Sequence, residues 1–220
     1  MSKNAIPGQI YRRLYLCYGP QRWWPGETDL EIIVGAILTQ NTSWSNVVKA
    51  IGNLKKNRML TIERLQKAPV RSLGRLIRSS GYYIVKAKRL KSFIDFLSTR
   101  YRGDIRALSR VPTGSLREQL LSVNGIGPET ADSILLYVYN RPVFVVDAYT
   151  KRIFSRHRFF DPGATYDQVQ RFFTDRLIRD ARLFNEFHAL IVKLGKEYCK
   201  KKPLCFLCPI VDMVPRYQGR

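Results

Sequence analysis

Residues 121–131 are Leu-Ser-Val-Asn-Gly-Ile-Gly-Pro-Glu-Thr-Ala, the clearest structural signal in the chain. Gly125 and Gly127 allow backbone conformations that other residues avoid, and Pro128 suits the first turn of a helix. An apolar stripe with helical spacing follows at Ala131, Ile134, Leu135 and Val138. Before the turn, Ser115-x-x-Glu118 has the pattern of a capping box that opens a short helix ending near Ser122. The sequence therefore predicts a helix, a tight Gly-x-Gly turn and a second helix over residues 115–139.

The start of the second predicted helix has the features of an anion site. Its first N–H groups lack acceptors within the helix, and together with the helix dipole they attract a phosphate without any side chain. Such a contact ignores nucleotide sequence. An ordinary helical hairpin with a glycine turn is the alternative, and the Gly-x-Gly pattern alone does not separate the two.

The charge of the whole chain favours a polyanionic partner. Lys and Arg number 38 against 17 Asp and Glu, a formal net charge of +21. Because so positive a surface repels itself, a nucleic acid is the expected partner, with an anionic membrane surface the weaker candidate. No apolar run reaches the roughly 18 residues of a membrane helix, and residues 1–11 have no hydrophobic signal core. We expect a cytoplasmic monomer that binds DNA, with no membrane partner.

Outside the hairpin the periodicity is also helical, which predicts an all-α fold. Thr28-x-x-Glu31 resembles a capping box, and the almost wholly apolar run after it indicates a buried central helix. Further helices are predicted over residues 65–76, 84–97 and 166–178, and residues 143–146 are predicted to form an extended connection. We expect residues 1–220 to be one functional unit with two helical lobes. One lobe is residues 28–140, and the other combines residues 1–27 with 141–220 and ends in a Cys-rich loop.

Several motifs in order resemble one protein family. Residues 121–152 are similar to the helix-hairpin-helix signature of the endonuclease III superfamily of DNA glycosylases. Three other segments also resemble family motifs: residues 38–42 (Leu-Thr-Gln-Asn-Thr), residues 81–87 (Gly-Tyr-Tyr-Ile-Val-Lys-Ala) and residues 187–190 (Phe-His-Ala-Leu). The resemblance covers nearly the whole chain. It implies base excision repair of double-stranded damaged DNA.

The resemblance assigns the catalytic acid to Asp147, about twenty residues after the hairpin glycines. Cleavage of a glycosidic bond builds positive charge on the sugar, which a fixed carboxylate stabilises while it orients a water. On the bare sequence alone, an ordinary N-cap of the helix that follows is the favoured interpretation of Asp147, and the surrounding motif favours catalysis. The two roles are compatible.

The family's bifunctional members carry a lysine just after the Gly-x-Gly turn, and this amine forms a Schiff base that permits strand cleavage. In this chain the position holds Glu129, and a carboxylate cannot form an imine. The departure predicts a monofunctional enzyme that uses water. Lys151 is another amine close to Asp147 in sequence, but the family pattern does not use that position.

Base excision requires a pocket for the flipped base, and the tryptophans are the candidates. Trp23-Trp24-Pro25 precedes the predicted buried helix and Trp44 follows the Gln40 motif. The endonuclease III-like 3-methyladenine DNA glycosylases have a similar Trp-Trp-Pro, an aromatic residue after Gln-Asn-Thr-x and a Glu after the hairpin. Electron-rich rings would stack on a cationic alkylpurine. Packing in the core is the alternative for these rings.

The resemblance also suggests DNA contacts. It implies that Gln40 fills the gap left by the flipped base, and a surface or capping glutamine is the alternative. The other residues expected to contact DNA are Gly125, Ile126, Gly127, Thr130, Lys200, Lys201 and Lys202.

The cysteines cluster at residues 199–208. The family loop has the spacing Cys-x6-Cys-x2-Cys-x5-Cys and holds a [4Fe–4S] cluster, whereas this chain has Cys199, Cys205 and Cys208, with Val214 at the fourth position. Asp212, an exogenous ligand or the distant Cys17 are candidate fourth ligands. Zinc and a loop without metal are the rival interpretations. A bound cluster would hold the three lysines of the loop towards phosphate.

We therefore expect a monofunctional glycosylase acting on alkylated purines such as 3-methyladenine. One alternative is an endonuclease III-like glycosylase and lyase acting on oxidised or mismatched pyrimidines, which Glu129 disfavours. The other is a non-catalytic helix-hairpin-helix DNA-binding protein, which Asp147 disfavours.

Overall fold

The structure is a computed structural model that describes residues 6–21, 23 and 26–213, and its fold is all-α. The chain divides into two compact units. One consists of the described residues up to Trp23 and from Asn140 onward, and the other of those between residues 24 and 139.

The first unit contains four α-helices: α1 (Ile6–Tyr18), α9 (Ala148–Arg156), α10 (Tyr166–Thr174) and α11 (Ala181–Glu197). The core helix is α11, which packs against α1 and α9. A group of buried aromatic rings fills the space between α9, α10 and α11: Phe144, Phe154, Phe173, Phe184 and Phe187. Residues 143–146 have no regular secondary structure, and Phe144, Val145 and Val146 are buried. This buried extended segment leads directly to Asp147.

The second unit contains α2 to α8: α2 (Asp29–Leu38), α3 (Trp44–Lys56), α4 (Ile62–Lys67), α5 (Val70–Leu76), α6 (Tyr83–Tyr101), α7 (Thr113–Leu121) and α8 (Pro128–Tyr137). Its central helix is α2, which contacts α3, α6 and α8. Because α2 is apolar on nearly every side, neighbours surround it, as the sequence predicts. No helix in the described residues has the length and apolarity needed to cross a bilayer.

Three local predictions are wrong. The helix predicted over residues 65–76 is two helices, α4 and α5, because Pro69 cannot continue a helix and restricts Ala68 to an extended conformation. The Ser115 capping box does not form, since α7 begins earlier with Pro112 at the N-cap. At α2 only half of a box forms: the Thr28 hydroxyl accepts from the Glu31 N–H at 3.2 Å, but the Glu31 carboxylate accepts from Glu27.

Candidate active site

Asp147 is the N-cap residue of α9, and its carboxylate is held on one side by the helix it caps. Its Oδ1 accepts hydrogen bonds from the Thr150 N–H at 2.7 Å and the Thr150 hydroxyl at 2.9 Å. The side chain is 12% exposed, so it is mostly but not completely shielded from solvent. The capping role and the position expected of the catalytic acid are therefore both compatible with this geometry.

The other oxygen of Asp147 faces a histidine from α11. His188 Nε2 lies 3.5 Å from Asp147 Oδ2, and the His188 side chain is only 6% exposed. Burial is the largest single influence and by itself would raise the pKa of Asp147. The neighbouring His188 and the two hydrogen bonds from Thr150 together outweigh it, so the pKa is lowered. Asp147 is therefore an ionised carboxylate in a confined setting at neutral pH.

An ion pair with one fully buried partner ties the two helices of the hairpin in the second unit together. Arg117 of α7 donates to both carboxylate oxygens of Asp132 in α8, at 2.7 and 3.2 Å, and Asp132 is fully buried. The turn between the helices closes with the Ile126 N–H donating to the Val123 carbonyl at 3.0 Å. Gly125 has a φ of +85°, in the left-handed region that favours glycine.

The N–H groups of this turn are not equivalent as candidates for a phosphate. Those of Gly125 and Gly127 donate to no acceptor in the described part of the chain, and Gly127 is the N-cap of α8. The Ile126 N–H is already engaged, and the Ile126 side chain is buried. The two glycines and the start of α8 therefore stay the candidates for a phosphate contact, whereas the buried Ile126 side chain anchors the turn in the core.

Gln40 lies in the turn after α2, and its side chain reaches the hairpin. Its Nε2 donates to the Gly125 carbonyl at 3.0 Å and to the Thr130 hydroxyl at 2.9 Å, and its Oε1 accepts from Arg89 Nη1. Thr130 is thus a buried partner of Gln40. The sequence predicts that Gln40 either fills the gap left by the flipped base or is a surface or capping glutamine, and neither interpretation includes these contacts with the hairpin.

The remaining candidate residues for base recognition fall in both units. Glu129 is exposed in the first turn of α8, and the half-buried Trp44 is the first residue of α3. Trp23 belongs to the other unit, where Lys196 Nζ lies 5.7 Å from the centre of its ring. Trp24 and Pro25 lie outside the described residues. A sandwich of the base between Trp24 and Trp44 therefore stays a prediction.

The three loop cysteines line one apolar recess together with Ile153, His157 and Leu194. Within the described ranges, however, no three His, Cys, Asp or Glu side chains are arranged to hold a metal. Asp212, one candidate fourth ligand, pairs with Arg13 at 3.3 Å, and Val214 lies outside the described residues. The described donors are not arranged to hold a single metal ion, and no step of the chemistry below depends on a metal or a cluster.

Two arginines of α9 hold the Cys-rich loop that carries Lys200, Lys201 and Lys202. Arg152 Nε donates to the Cys199 carbonyl at 2.8 Å, while Arg156 donates to the carbonyls of Lys200 and Lys201, at 2.5 and 3.1 Å. Lys200, Lys201 and Lys202 are exposed. Because α9 also begins at Asp147, one short helix positions both the carboxylate and this cationic loop.

The sequence interpretation missed two residues that the structure singles out. His188 is part of the Phe-His-Ala-Leu motif, but nothing in the spacing of two residues 41 positions apart indicates its contact with Asp147. Tyr82 is 73% exposed and has a φ of +46° before α6. A bulky residue in this conformation is uncommon and is often found at functional sites, and the neighbouring Gly81 is the only sequence signal for an irregular turn there.

Comparison with known proteins agrees with this arrangement. The family model described as HhH-GPD superfamily base excision DNA repair protein matches residues 34–178, which span most of the second unit, the hairpin and Asp147. This chain belongs to the HhH-GPD superfamily.

Two related sequences cover most of this HhH-GPD protein. A Methanocaldococcus jannaschii protein with the provisional name DNA repair glycosylase MJ1434 is 48% identical over 206 residues, 93% of each chain. Endonuclease III of Sulfolobus acidocaldarius is 27% identical over 187 residues, which are 84% of this chain and 81% of that protein.

A solved structure is also similar to this HhH-GPD protein. It is the H. pylori 3-methyladenine DNA glycosylase bound to 1,N6-ethenoadenine, with a TM-score of 0.76 and 28% identity. The match covers 90% of this chain and 98% of that one. The fold and the superfamily are therefore those expected from the sequence.

Proposed function

We propose that this protein is a monofunctional DNA glycosylase that hydrolyses the N-glycosidic bond of alkylated purines, such as 3-methyladenine, in double-stranded DNA. We infer that it acts as a monomer. The observation that carries the proposal is Asp147, a carboxylate that is 12% exposed and kept ionised by His188 and Thr150. A charge in this setting acts through a lower dielectric than water, which strengthens its effect on a nearby developing cation.

The chemistry follows from this carboxylate. As the bond between the base and C1′ lengthens, positive charge grows on the sugar, and the negative charge of Asp147 stabilises it. Thr150 fixes one carboxylate oxygen with two hydrogen bonds, so the carboxylate needs little reorganisation during the reaction. In this proposal, water completes the reaction by attacking C1′, with its proton accepted or oriented by the same carboxylate.

Glu129 and Lys151 both support hydrolysis over lyase chemistry. Glu129 has no amine, and it suits the positive end of the α8 dipole. Lys151, the other amine considered, donates to the Ala164 carbonyl at 3.1 Å. An amine held in this way would have to leave its acceptor before it could attack C1′.

Support for an alkylated purine comes from the likeness to the 3-methyladenine glycosylase and from Trp44. An alkylated purine carries a positive charge, which an indole ring attracts through its π-face. The same charge makes the base a good leaving group, so water and one carboxylate suffice.

A second candidate is supported by the likeness to endonuclease III of Sulfolobus acidocaldarius, 27% identical over 84% of this chain. In that case the substrate would be an oxidised or mismatched pyrimidine. Glu129 disfavours the accompanying lyase step.

The test is release of free bases from duplex DNA, identified by mass. Methylated duplex and duplex with oxidised pyrimidines are incubated separately with the wild type and with Asp147→Asn. We expect the wild type alone to release 3-methyladenine. Release of oxidised pyrimidines in its place would establish the second candidate, and release of no base from either duplex would contradict both.

A further inference from the structure

Arg89 of α6 contacts both the Gln40 loop and the hairpin turn. Its Nη1 donates to Gln40 Oε1, and Gln40 in turn donates to Gly125 and Thr130. With both N–H groups and the carbonyl oxygen of the Gln40 amide engaged, the side chain is a fixed strut in the DNA-free protein.

The stem of Arg89 also lies against the backbone of the turn. A Cβ added at Gly125 would fall 2.2 Å from Arg89 Cγ and 2.6 Å from Cδ, closer than carbon atoms approach. Glycine is therefore required at position 125 for two reasons. Its φ of +85° lies in the region that favours glycine, and a side chain there would collide with the stem of Arg89.

The same face of α6 holds the Gln40 loop at a second point. Lys86, one turn before Arg89, donates from Nζ to the carbonyl of Leu38, the last residue of α2, at 2.9 Å. The side chain of Lys86 is buried. Lys86 thus fixes the end of α2, and Arg89 fixes the Gln40 side chain that follows it.

We propose that Arg89 is a positioning residue, which acts through Gln40 to hold the Gly125–Gly127 turn in the conformation that binds DNA phosphate. This proposal rests on the DNA-binding part of the proposed function. Replacing Arg89 by Ala removes both the donor to Gln40 and the stem that packs on Gly125. The Gln40 side chain and the Gly125–Gly127 turn can then move independently. The two glycine N–H groups are no longer held in the arrangement that binds a phosphate.

The test is a double-mutant cycle on duplex binding. Arg89→Ala and Gln40→Ala are each expected to weaken binding of undamaged duplex about 10-fold, and the double variant also about 10-fold, because both break one chain of contacts. Lys88→Ala is the matched control, since it removes one positive charge from the adjacent, exposed position of α6. Its effect should multiply with that of Gln40→Ala.

A kinetic measurement separates positioning from catalysis. In single-turnover base release, Arg89→Ala should raise the protein concentration needed for half-maximal rate about 10-fold and change the maximal rate by less than about 2-fold. Arg89→Lys, which keeps a donor and an apolar stem, should restore part of the affinity. Duplex binding tests the positioning role even if the wild type releases none of the bases offered. Failure of the glycosylase proposal can therefore be distinguished from failure of the positioning proposal.

Three results would overturn the proposal: independent effects of Arg89→Ala and Gln40→Ala, equal effects of Arg89→Ala and Lys88→Ala, or a lowered maximal rate with unchanged affinity. If Arg89→Ala does not fold, Thr130→Val provides the test, because it removes one acceptor of Gln40 without changing charge. It should weaken duplex binding and show no additional effect when combined with Gln40→Ala. Wild-type affinity in Thr130→Val would then refute the role of the strut.

Discussion

Replacing Asp147 by Asn changes the charge of the proposed catalytic acid and little else. Asn is as good an N-cap residue as Asp, and its amide oxygen can keep the hydrogen bonds from the Thr150 N–H and hydroxyl. The side chain has nearly the same volume. The lost interaction is therefore the charge of the second oxygen, which lies 3.5 Å from His188 Nε2.

Two magnitudes set the expected result. Loss of one electrostatic stabiliser costs on the order of 3 kcal/mol or more in the barrier, which slows base release at least about 100-fold. For the fold, Asn keeps the helix cap and removes the cost of burying a charge, so the loss of stability should be small beside the effect on the barrier. Duplex affinity should change less than about 3-fold, because in this proposal phosphate is bound by the hairpin.

Three measurements on one preparation check this: single-turnover release of 3-methyladenine, duplex affinity and thermal unfolding. The matched control is Asp180→Asn, since Asp180 is likewise an N-cap aspartate that accepts from a backbone N–H at 2.7 Å, but is exposed at the start of α11. Base release by Asp147→Asn within a few-fold of the wild type would refute the assignment. Loss of activity matched by loss of folded protein would reduce Asp147 to a helix cap.

Other perturbations test the remaining parts of the proposal. Trp44→Ala should lower alkylpurine release by about 1–3 kcal/mol of stacking with little change in melting temperature, whereas a core ring would cost about 3–5 kcal/mol of stability. Borohydride should trap little adduct between the wild type and abasic duplex, and Glu129→Lys, which supplies an amine, should trap more. Burial, helped by the Arg89 charge, lowers the pKa of Lys86 to about 8 from 10.5, so between these values the unfolded chain holds a proton that the folded one lacks. Wild-type stability should therefore rise with pH in that window by up to about 3 kcal/mol relative to Lys86→Met, as measured by denaturant unfolding at pH 7.5 and 10. Duplex affinity should fall steeply with added salt, and a flat response would contradict phosphate binding.

Structural features that depend on residues close together in the sequence were predictable. The hairpin turn follows from two glycines and a proline within four positions, and α2 follows from an unbroken apolar run. Asp147 was predicted to cap a helix, and its side chain does so. Each of these depends on backbone conformations or burial that neighbouring residues determine together.

Features that depend on contacts between distant residues were not predictable. Gln40 meets Thr130 and Asp147 meets His188 only because helices far apart in sequence pack together. The wrong capping box at Ser115 has a local cause instead, since Pro112 already supplies a helix start three positions earlier. Sequence patterns give the candidates for each role, and tertiary packing selects among them.

The missing amine and the proposed substrate are physically connected. In the proposed reaction Glu129 replaces the amine and no covalent intermediate forms, so the carboxylate and the base itself have to lower the barrier. A cationic alkylpurine leaves as a neutral molecule, whereas an oxidised pyrimidine must leave as an anion or be protonated. The base-release profile and the borohydride experiment should therefore change together: a chain that releases oxidised pyrimidines efficiently should also trap an amine adduct. Efficient release of oxidised pyrimidines without any trapped adduct would contradict this expectation. Some group other than Asp147 would then have to lower the barrier to cleavage of the glycosidic bond.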